Sequence, residues 1–286
     1  MLKAIVVVPC YNEQKRLNLK AFKATLEASP WLGFLFVNDG SSDQTLSMLT
    51  RFADDHPQQV GVLSNNVNRG KAASVRRGLS TAIGYHPEYI GFWDADLATP
   101  LSEIADFCNI LDKRDDISIV VGTRLALLGR QIERKATRRI LGRVFSLVAS
   151  STLAIPIRDT QCGAKMFRVD RGIDAIFDSP FCSKWVFDVE IFARMIMRQK
   201  STNAPAISNA IYEKPLESWF EIPGSKLKAI DFVKAAVELG VIYWKYLGPF
   251  RRQRMPVRSE PMTIPMEMFQ NNGPLKVAQS ERRQVA

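Results

Sequence analysis

Two acids one residue apart, Asp94 and Asp96, close a short apolar run, Tyr89-Ile90-Gly91-Phe92-Trp93. Carboxylates at that spacing suit a hard divalent cation that keeps most of its water and takes the phosphates of a nucleotide. Alone, such a pair is more often a solvated turn. Here, other polar residues end apolar runs in the same way. Asn12 and Glu13 follow the run at 4–8, and Asn38-Asp39-Gly40 follows the run at 34–37. If these runs are parallel strands, their carboxyl ends share one sheet edge, where α/β sheets bind ligands, and Asp94, Asp96, Asp39 and Asn12 converge there. No GxGxxG follows the first run and no GxxxxGK[ST] occurs, so dinucleotide and P-loop readings fall away.

Other chemistries are excluded by what the chain lacks. Its two histidines, His56 and His86, each precede a proline in turn context. A Ser-His-Asp triad, a Cys-His pair or a histidine-rich zinc site would need one better placed. Cys10, Cys108, Cys162 and Cys182 are scattered without metal spacing and read as reduced thiols, most of them in the core. Carboxylates, cations or an oxygen-held metal are left to do the chemistry. The net charge of +10 is localised. In residues 124–143, Arg124, Arg130, Arg134, Lys135, Arg138, Arg139 and Arg143 face the single acid Glu133, and residues 251–286 hold the remaining excess. Concentrated cations make a field for a polyanionic partner. No nucleic-acid reader motif accompanies them, so nucleic acid is not expected.

The elements that must position these residues alternate. Apolar, β-branched runs at 4–8, 34–37, 60–63, 89–93 and 117–121 predict buried parallel strands. Amphipathic stretches at 17–28, 44–52, 70–83 and 102–111 predict the helices between them, with Ser42 or Asp43 as a helix cap. The order implies an open, mostly parallel α/β sheet with helices on both faces. Residues 134–154 predict a basic amphipathic helix, 155–167 is irregular to strand-like, and 187–198 and 226–246 predict further helices. Pro9 and the polar residues 11–16 interrupt any secretory leader. The longest uncharged stretch, 144–157, is shorter than the roughly 20 apolar residues of a spanning helix.

The motifs together resemble a family. Val8-Pro9-Cys10-Tyr11-Asn12-Glu13, Val37-Asn38-Asp39-Gly40-Ser41-Ser42-Asp43, Asn68-Arg69-Gly70-Lys71 and Asp94-Ala95-Asp96-Leu97 are similar to those of family 2 inverting glycosyltransferases with the GT-A fold. Gly122-Thr123-Arg124, the run from Arg158 to Phe167, Trp185-Val186-Phe187-Asp188-Val189-Glu190 and Glu221-Ile222-Pro223-Gly224-Ser225-Lys226-Leu227 narrow the likeness. They resemble dolichyl-phosphate β-glucosyltransferases and bacterial polyprenyl-phosphate glycosyltransferases. The match runs from about residue 3 to about residue 246. Departures are Gly70-Lys71-Ala72 for Gly-Lys-Gly, Gly163-Ala164-Lys165 for Gly-Phe-Lys, and the lack of the family's usual membrane-spanning segment. Ala98 stands where mannosyl-transferring relatives often carry Gln, which leans toward the glucosyl branch.

The resemblance implies roles. Pro9, Tyr11, Asn12 and Glu13 would line the nucleobase and ribose pocket, Asp39 would accept a uracil imide N–H, and Lys71 would sit near ribose and phosphates. Asp94 and Asp96 would bind the sugar nucleotide and Mg²⁺ or Mn²⁺. Arg124 and Arg138 would hold an acceptor phosphate, and Asp159 corresponds to the catalytic carboxylate. Asp188 and Glu190 would support the site or act in it directly. The implied reaction passes a hexose, glucose from UDP-glucose above others, to a polyprenyl phosphate with inversion. Rival readings are a soluble family 2 transferase acting on a hydroxyl and a membrane-docked nucleotide-sugar-binding protein without catalysis. The expected organisation is a GT-A catalytic domain over 1–228, with basic amphipathic interface helices at 130–155, then an amphipathic helix at 229–250 and a basic, flexible tail at 251–286. The basic face would dock the protein peripherally on an anionic membrane surface, on the cytoplasmic side.

Overall fold

The structure, a computed structural model, describes residues 1–133, 136–170, 172–202, 206–220 and 229–248, with side chains except at 133, 136–139, 202 and 229–232. The first part alternates as the periodicity predicts. It runs β1 (Ala4–Cys10), α1 (Leu19–Ala28), β2 (Leu32–Asn38), α2 (Thr45–Asp55), β3 (Val60–Ser64), α3 (Lys71–Ile83), β4 (Tyr89–Trp93), α4 (Glu103–Lys113) and β5 (Ile119–Thr123). Then come β6 (Gln131–Glu133), α5 (Ala136–Leu153), β7 (Ala164–Arg168), α6 (Asp174–Phe177), α7 (Phe187–Thr202), β8 (Ile211–Pro215), β9 (Ser218–Phe220) and α8 (Ala229–Ile242). A π-helical turn, Tyr243–Leu247, continues α8.

The apolar runs lack polar alternation because both sheet faces are covered. Ile5 and Val7 of β1 pack with Val75 and Leu79 of α3 and with Val189 and Phe192 of α7. Val6 and Val8 point the other way, toward Phe22 of α1, Leu49 of α2 and Phe107 of α4. On that second face Phe22 sits edge-on to Phe34 and Phe36, with centroids 4.9 and 5.1 Å away. Cys10, Cys108 and Cys162 are core residues there.

The main sheet has the order β3-β2-β1-β4-β7-β5-β8, and β6 pairs with β9 in a small separate ribbon. All pairings in the main sheet are parallel except those of β7, which lies antiparallel between β4 and β5. This wedge, read from sequence only as irregular to strand-like, is decisive for the site. Because Trp93 pairs with Ala164, the loop before β7 arrives at the carboxyl end of β4, where Asp94 and Asp96 follow. β8 was not anticipated. It is an edge strand whose Ile-Tyr-Glu-Lys-Pro sequence places two charged residues side by side and ends in proline, so it carries no buried-strand signature. β5 begins two residues later than the run at 117–121, because Ile117 is spent in a turn that donates its N–H to the Arg114 carbonyl. Among the described residues no helix is long and apolar enough to cross a membrane.

Candidate active site

A pocket of about 330 Å³ opens at the carboxyl ends of β1, β2 and β4. Pro9, Tyr11, Glu13, Asp39, Lys71, Asp94 and Asp96 line it, joined by Cys10, Asn68, Gly70 and Ala95. Of the residues expected in the nucleotide pocket, only Asn12 is not among its lining. Asn12 takes a left-handed backbone (φ 54°) and accepts the Ser42 N–H at 2.9 Å, while its own N–H donates to Ser41 Oγ at 3.0 Å. It ties the loop after β1 to the loop after β2. The cap of α2 falls at Gln44, one residue later than the expected Ser42 or Asp43, and its side chain makes no cap bond; Asp43, just before it, accepts the Thr45 N–H at 2.9 Å.

Asp39 is buried and anchored on the pocket floor. Its carboxylate accepts the N–H groups of Arg69 and Gly70 and the Asn65 amide, each at 2.8 Å. A carboxylate takes about four such donors, so capacity for one more remains. Gly70 reaches Asp39 through a left-handed backbone (φ 88°), which glycine adopts without steric cost, and then opens α3. Glu13 is held by the Arg16 guanidinium at 2.5 and 3.0 Å.

Lys71, the first residue of α3, ion-pairs with Asp94. Burial draws its pKa down, but Asp94, Asp188 and Asp96 outweigh this and hold the ammonium above its ordinary value. Asp96 accepts the Ala98 N–H at 3.1 Å. Burial and the neighbouring Asp94 push its pKa up, against Ala98, Lys71 and Arg16. Asp94 is also locked through its backbone, donating its N–H to the Gly163 carbonyl at 3.1 Å. A Cβ on Gly163 would stand 1.9 Å from Asp94 Oδ2, so any side chain there must displace the Asp94 carboxylate. Behind Asp94, buried Lys165 bridges the Cys162 carbonyl at 2.6 Å and Asp188 at 2.5 Å. Burial raises the Asp188 pKa, with Asp94 adding to the effect and Lys165 and Lys71 opposing it.

One loop away, Arg124 and Asp159 form a two-pronged ion pair. Nε and Nη2 of Arg124 donate to the carboxylate at 2.7 and 2.8 Å, and the Arg124 backbone N–H adds a third bond at 3.1 Å. The guanidinium lies 5.4 Å from the Trp219 ring centroid. Burial opposes its charge, but Asp159 holds its pKa well above the ordinary value, and Asp94 is near enough to contribute. The two residues expected to serve as phosphate ligand and catalytic carboxylate are thus one unit. Glu213 of β8 accepts the Arg158 and Asp159 N–H groups at 2.8 and 3.0 Å. Thr123 Oγ1, Thr160 Oγ1 and Gln161 Nε2 flank the pair, buried and with no hydrogen-bond partner among the described residues.

The side chain of Arg138, the other expected phosphate ligand, lies outside the described residues, as do Arg134, Lys135, the motif at 221–227 and the tail at 251–286. Glu190 faces away from the pocket into a buried network, taking Arg194 at 2.8 Å, the Tyr246 hydroxyl at 2.7 Å and the Ser183 N–H at 2.9 Å. Among the described residues no cluster of three or more His, Cys, Asp or Glu side chains could hold a metal. With Glu13 held by Arg16 and Asp39 by three N–H donors, the Asp94–Asp96 pair is the donor set left for a cation. That fits a hard cation completed by water and diphosphate oxygens and does not fit an all-protein cage.

A mostly parallel sheet carrying this pocket beyond its strand ends, with an aspartate pair after β4, is the architecture of the GT-A fold. The crystal structure of glucosyl-3-phosphoglycerate synthase from Mycobacterium tuberculosis in complex with Mn²⁺, uridine diphosphate and glucosyl-3-phosphoglycerate shares the fold at TM-score 0.56 and 16% identity, over 86% of this chain and 77% of that one. The chain belongs to glycosyl transferase family 2, whose family model matches residues 5–171, and it is a glycosyltransferase. It is 34% identical over 245 residues to a dolichyl-phosphate beta-glucosyltransferase of Trichomonas vaginalis, covering 82% of this chain and 68% of the relative. It is 32% identical over 256 residues to the dolichyl-phosphate beta-glucosyltransferase of Dictyostelium discoideum, covering 85% of this chain and 74% of the relative.

Proposed function

We propose that this protein transfers glucose from UDP-glucose to a polyprenyl phosphate with inversion at the anomeric carbon. The observation that carries the reading is that a carboxylate-lined nucleotide pocket and a doubly bonded arginine, Arg124, meet across the single loop 159–163. One end suits a nucleoside diphosphate and the other a phosphate. The names of the relatives support glucose and a lipid phosphate as the pair.

Pro9, Tyr11 and Glu13 would enclose the base and ribose, and Asp39, with room for one further donor, would take a uracil imide N–H. Asp94 and Asp96 would hold Mg²⁺ or Mn²⁺, which when bound neutralises charge on the departing diphosphate. Lys71 supplies fixed positive charge beside them. An acceptor phosphate has a second pKa near 6 and is largely dianionic at pH 7. It attacks the anomeric carbon as the bond to the diphosphate breaks, and no proton has to be removed. Catalysis then rests on positioning and charge compensation. Asp159 orients Arg124 toward the acceptor phosphate, and Arg138 would be a second cation for it.

Helix α5 supports a lipid acceptor. Ile140, Leu141, Val144, Leu147 and Val148 are exposed, while among its described side chains only Ala149 and Leu153 are fully in the core. A helix with an outward apolar side and arginines can lie in a membrane interface without spanning it. The protein would dock peripherally on an anionic surface, and its four free cysteines are in keeping with the reducing cytoplasmic side. The test offers radiolabelled UDP-glucose, GDP-mannose and UDP-N-acetylglucosamine with polyprenyl phosphate and Mg²⁺. Label is expected in the lipid phase from UDP-glucose. Label carried there only from another donor would overturn the choice of sugar, and label passing only to water-soluble hydroxyl acceptors would overturn the acceptor.

A further inference from the structure

We infer that Glu213 is a positioning residue for the transfer step, acting by fixing the peptide that carries Asp159 so that Asp159 can hold Arg124. The inference rests on the reading of Arg124 as the ligand of the acceptor phosphate. Its observations are geometric. β8 lies parallel beside β5, with Val121 opposite Glu213. Both strands therefore end at the same sheet edge, and Arg124 follows the end of β5 directly. From β8 a single oxygen, Glu213 Oε1, accepts two successive backbone N–H groups, Arg158 at 2.8 Å and Asp159 at 3.0 Å. Two N–H groups converging on one oxygen fix the orientation of the Asp159 backbone, and its carboxylate then meets Arg124 through three hydrogen bonds. Without this acceptor the N–H groups of a partly buried loop lose their partner, and the loop must turn to recover one. The neighbouring Lys214 points to the other face, where it pairs with Glu103 and Asp106, so β8 is held on one side and does the holding on the other.

The role asks for an acceptor oxygen and no negative charge. Glutamine supplies that oxygen at the same reach, alanine supplies none, and aspartate falls one methylene short. Trp219 gives a readout independent of turnover, because Arg124 lies over its ring. Full-length protein labelled with 5-fluorotryptophan gives five fluorine resonances, and the Trp219→Phe variant identifies the one that matters. In Glu213→Ala the Trp219 resonance should move and kcat should fall about tenfold, the scale of a modest misplacement at a reacting centre, with the KM for UDP-glucose unchanged. Glu213→Gln should restore both. If Glu213→Ala does not fold, a displaced resonance in Glu213→Asp beside an unchanged one in Glu213→Gln supports the role. A Gln variant as displaced as the Asp or Ala variant overturns it, as does an Ala variant with wild-type resonance and kcat. If the wild type transfers glucose to a hydroxyl instead, the reading of the acceptor fails while the Trp219 resonance still decides the role of Glu213.

Discussion

Asp94 is held through both its side chain and its backbone. Lys71 pairs with its carboxylate, the Gly163 carbonyl takes its N–H, and the missing side chain at Gly163 leaves the space that the carboxylate occupies. Gly163→Ala should therefore displace Asp94 and lower turnover roughly 10²-fold, the loss that an ångström-scale misplacement can cause. Circular dichroism should show an unchanged fold, and a fully active Gly163→Ala enzyme would refute the packing argument. Asp96→Ala should abolish metal-dependent turnover without unfolding the protein, because Asp96 stands at a strand end outside the core. Full activity in EDTA would contradict the metal role. Calorimetry should show tighter binding of UDP than GDP if Asp39 reads the imide. Asp94, Asp96 and Asp39 were legible in sequence because each follows an apolar run, a pattern local to the chain. The roles of Gly163, Lys165 and Glu213 were not, because their partners lie far away in sequence; a family motif marked the first two without showing what they hold, and nothing local marked Glu213.

Helix α7 shows how an element can carry charge for structural ends. Glu190 and Arg194, one turn apart and buried, share a network with Ser183 and with Tyr246 of the closing π turn. Truncating one partner of such a pair leaves the other charge buried, so Glu190→Ala should cost about 3–5 kcal/mol of stability in denaturant titration. The pH dependence has a definite sign. Burial pushes the Glu190 pKa up, but Tyr246, Arg194 and the Cys182 and Ser183 donors outweigh it and hold it below the ordinary 4.5. A carboxylate lowered on folding stabilises above its ordinary pKa, and that contribution fades as pH falls below 4.5 through the folded value. Glu190→Gln should flatten that acid limb, and an equally steep limb would show that Glu190 carries no such linkage. The sequence motif around Asp188 and Glu190 did not divide their roles. The structure does: Asp188 meets Lys165 beside the pocket and Glu190 belongs to the helix packing. At this scale the first five strands and four helices were legible from their periodicity. The wedge β7 and edge strand β8 were not, since pairing with distant strands stabilises them more than any pattern of their own.

The whole molecule places a carboxylate-lined pocket at one sheet edge and leaves apolar side chains of α5 in the open. If that face docks on a membrane, Val144→Ser with Leu147→Ser should weaken binding to anionic vesicles severalfold while changing stability by only about 0.5 kcal/mol, as for exposed positions. Replacing Arg134, Lys135 and Arg139 by Gln should weaken vesicle binding and lipid-acceptor turnover together and spare UDP affinity. Raising salt from 0.1 to 1 M shortens the Debye length from about 10 to about 3 Å, so a purely electrostatic dock should release while one with inserted apolar side chains stays partly bound. Wild-type vesicle binding by both variants would make α5 an ordinary surface helix. Inverting transfer of glucose to a lipid phosphate leaves its mark in the anomeric configuration of the first-formed product. Time-resolved proton NMR of the full chain with UDP-α-glucose, a short-chain polyprenyl phosphate and Mg²⁺ should show the β-glucosyl phosphodiester appearing as UDP is released, and none with EDTA present. A first-formed α-anomer, or UDP release yielding free glucose alone, would contradict the account.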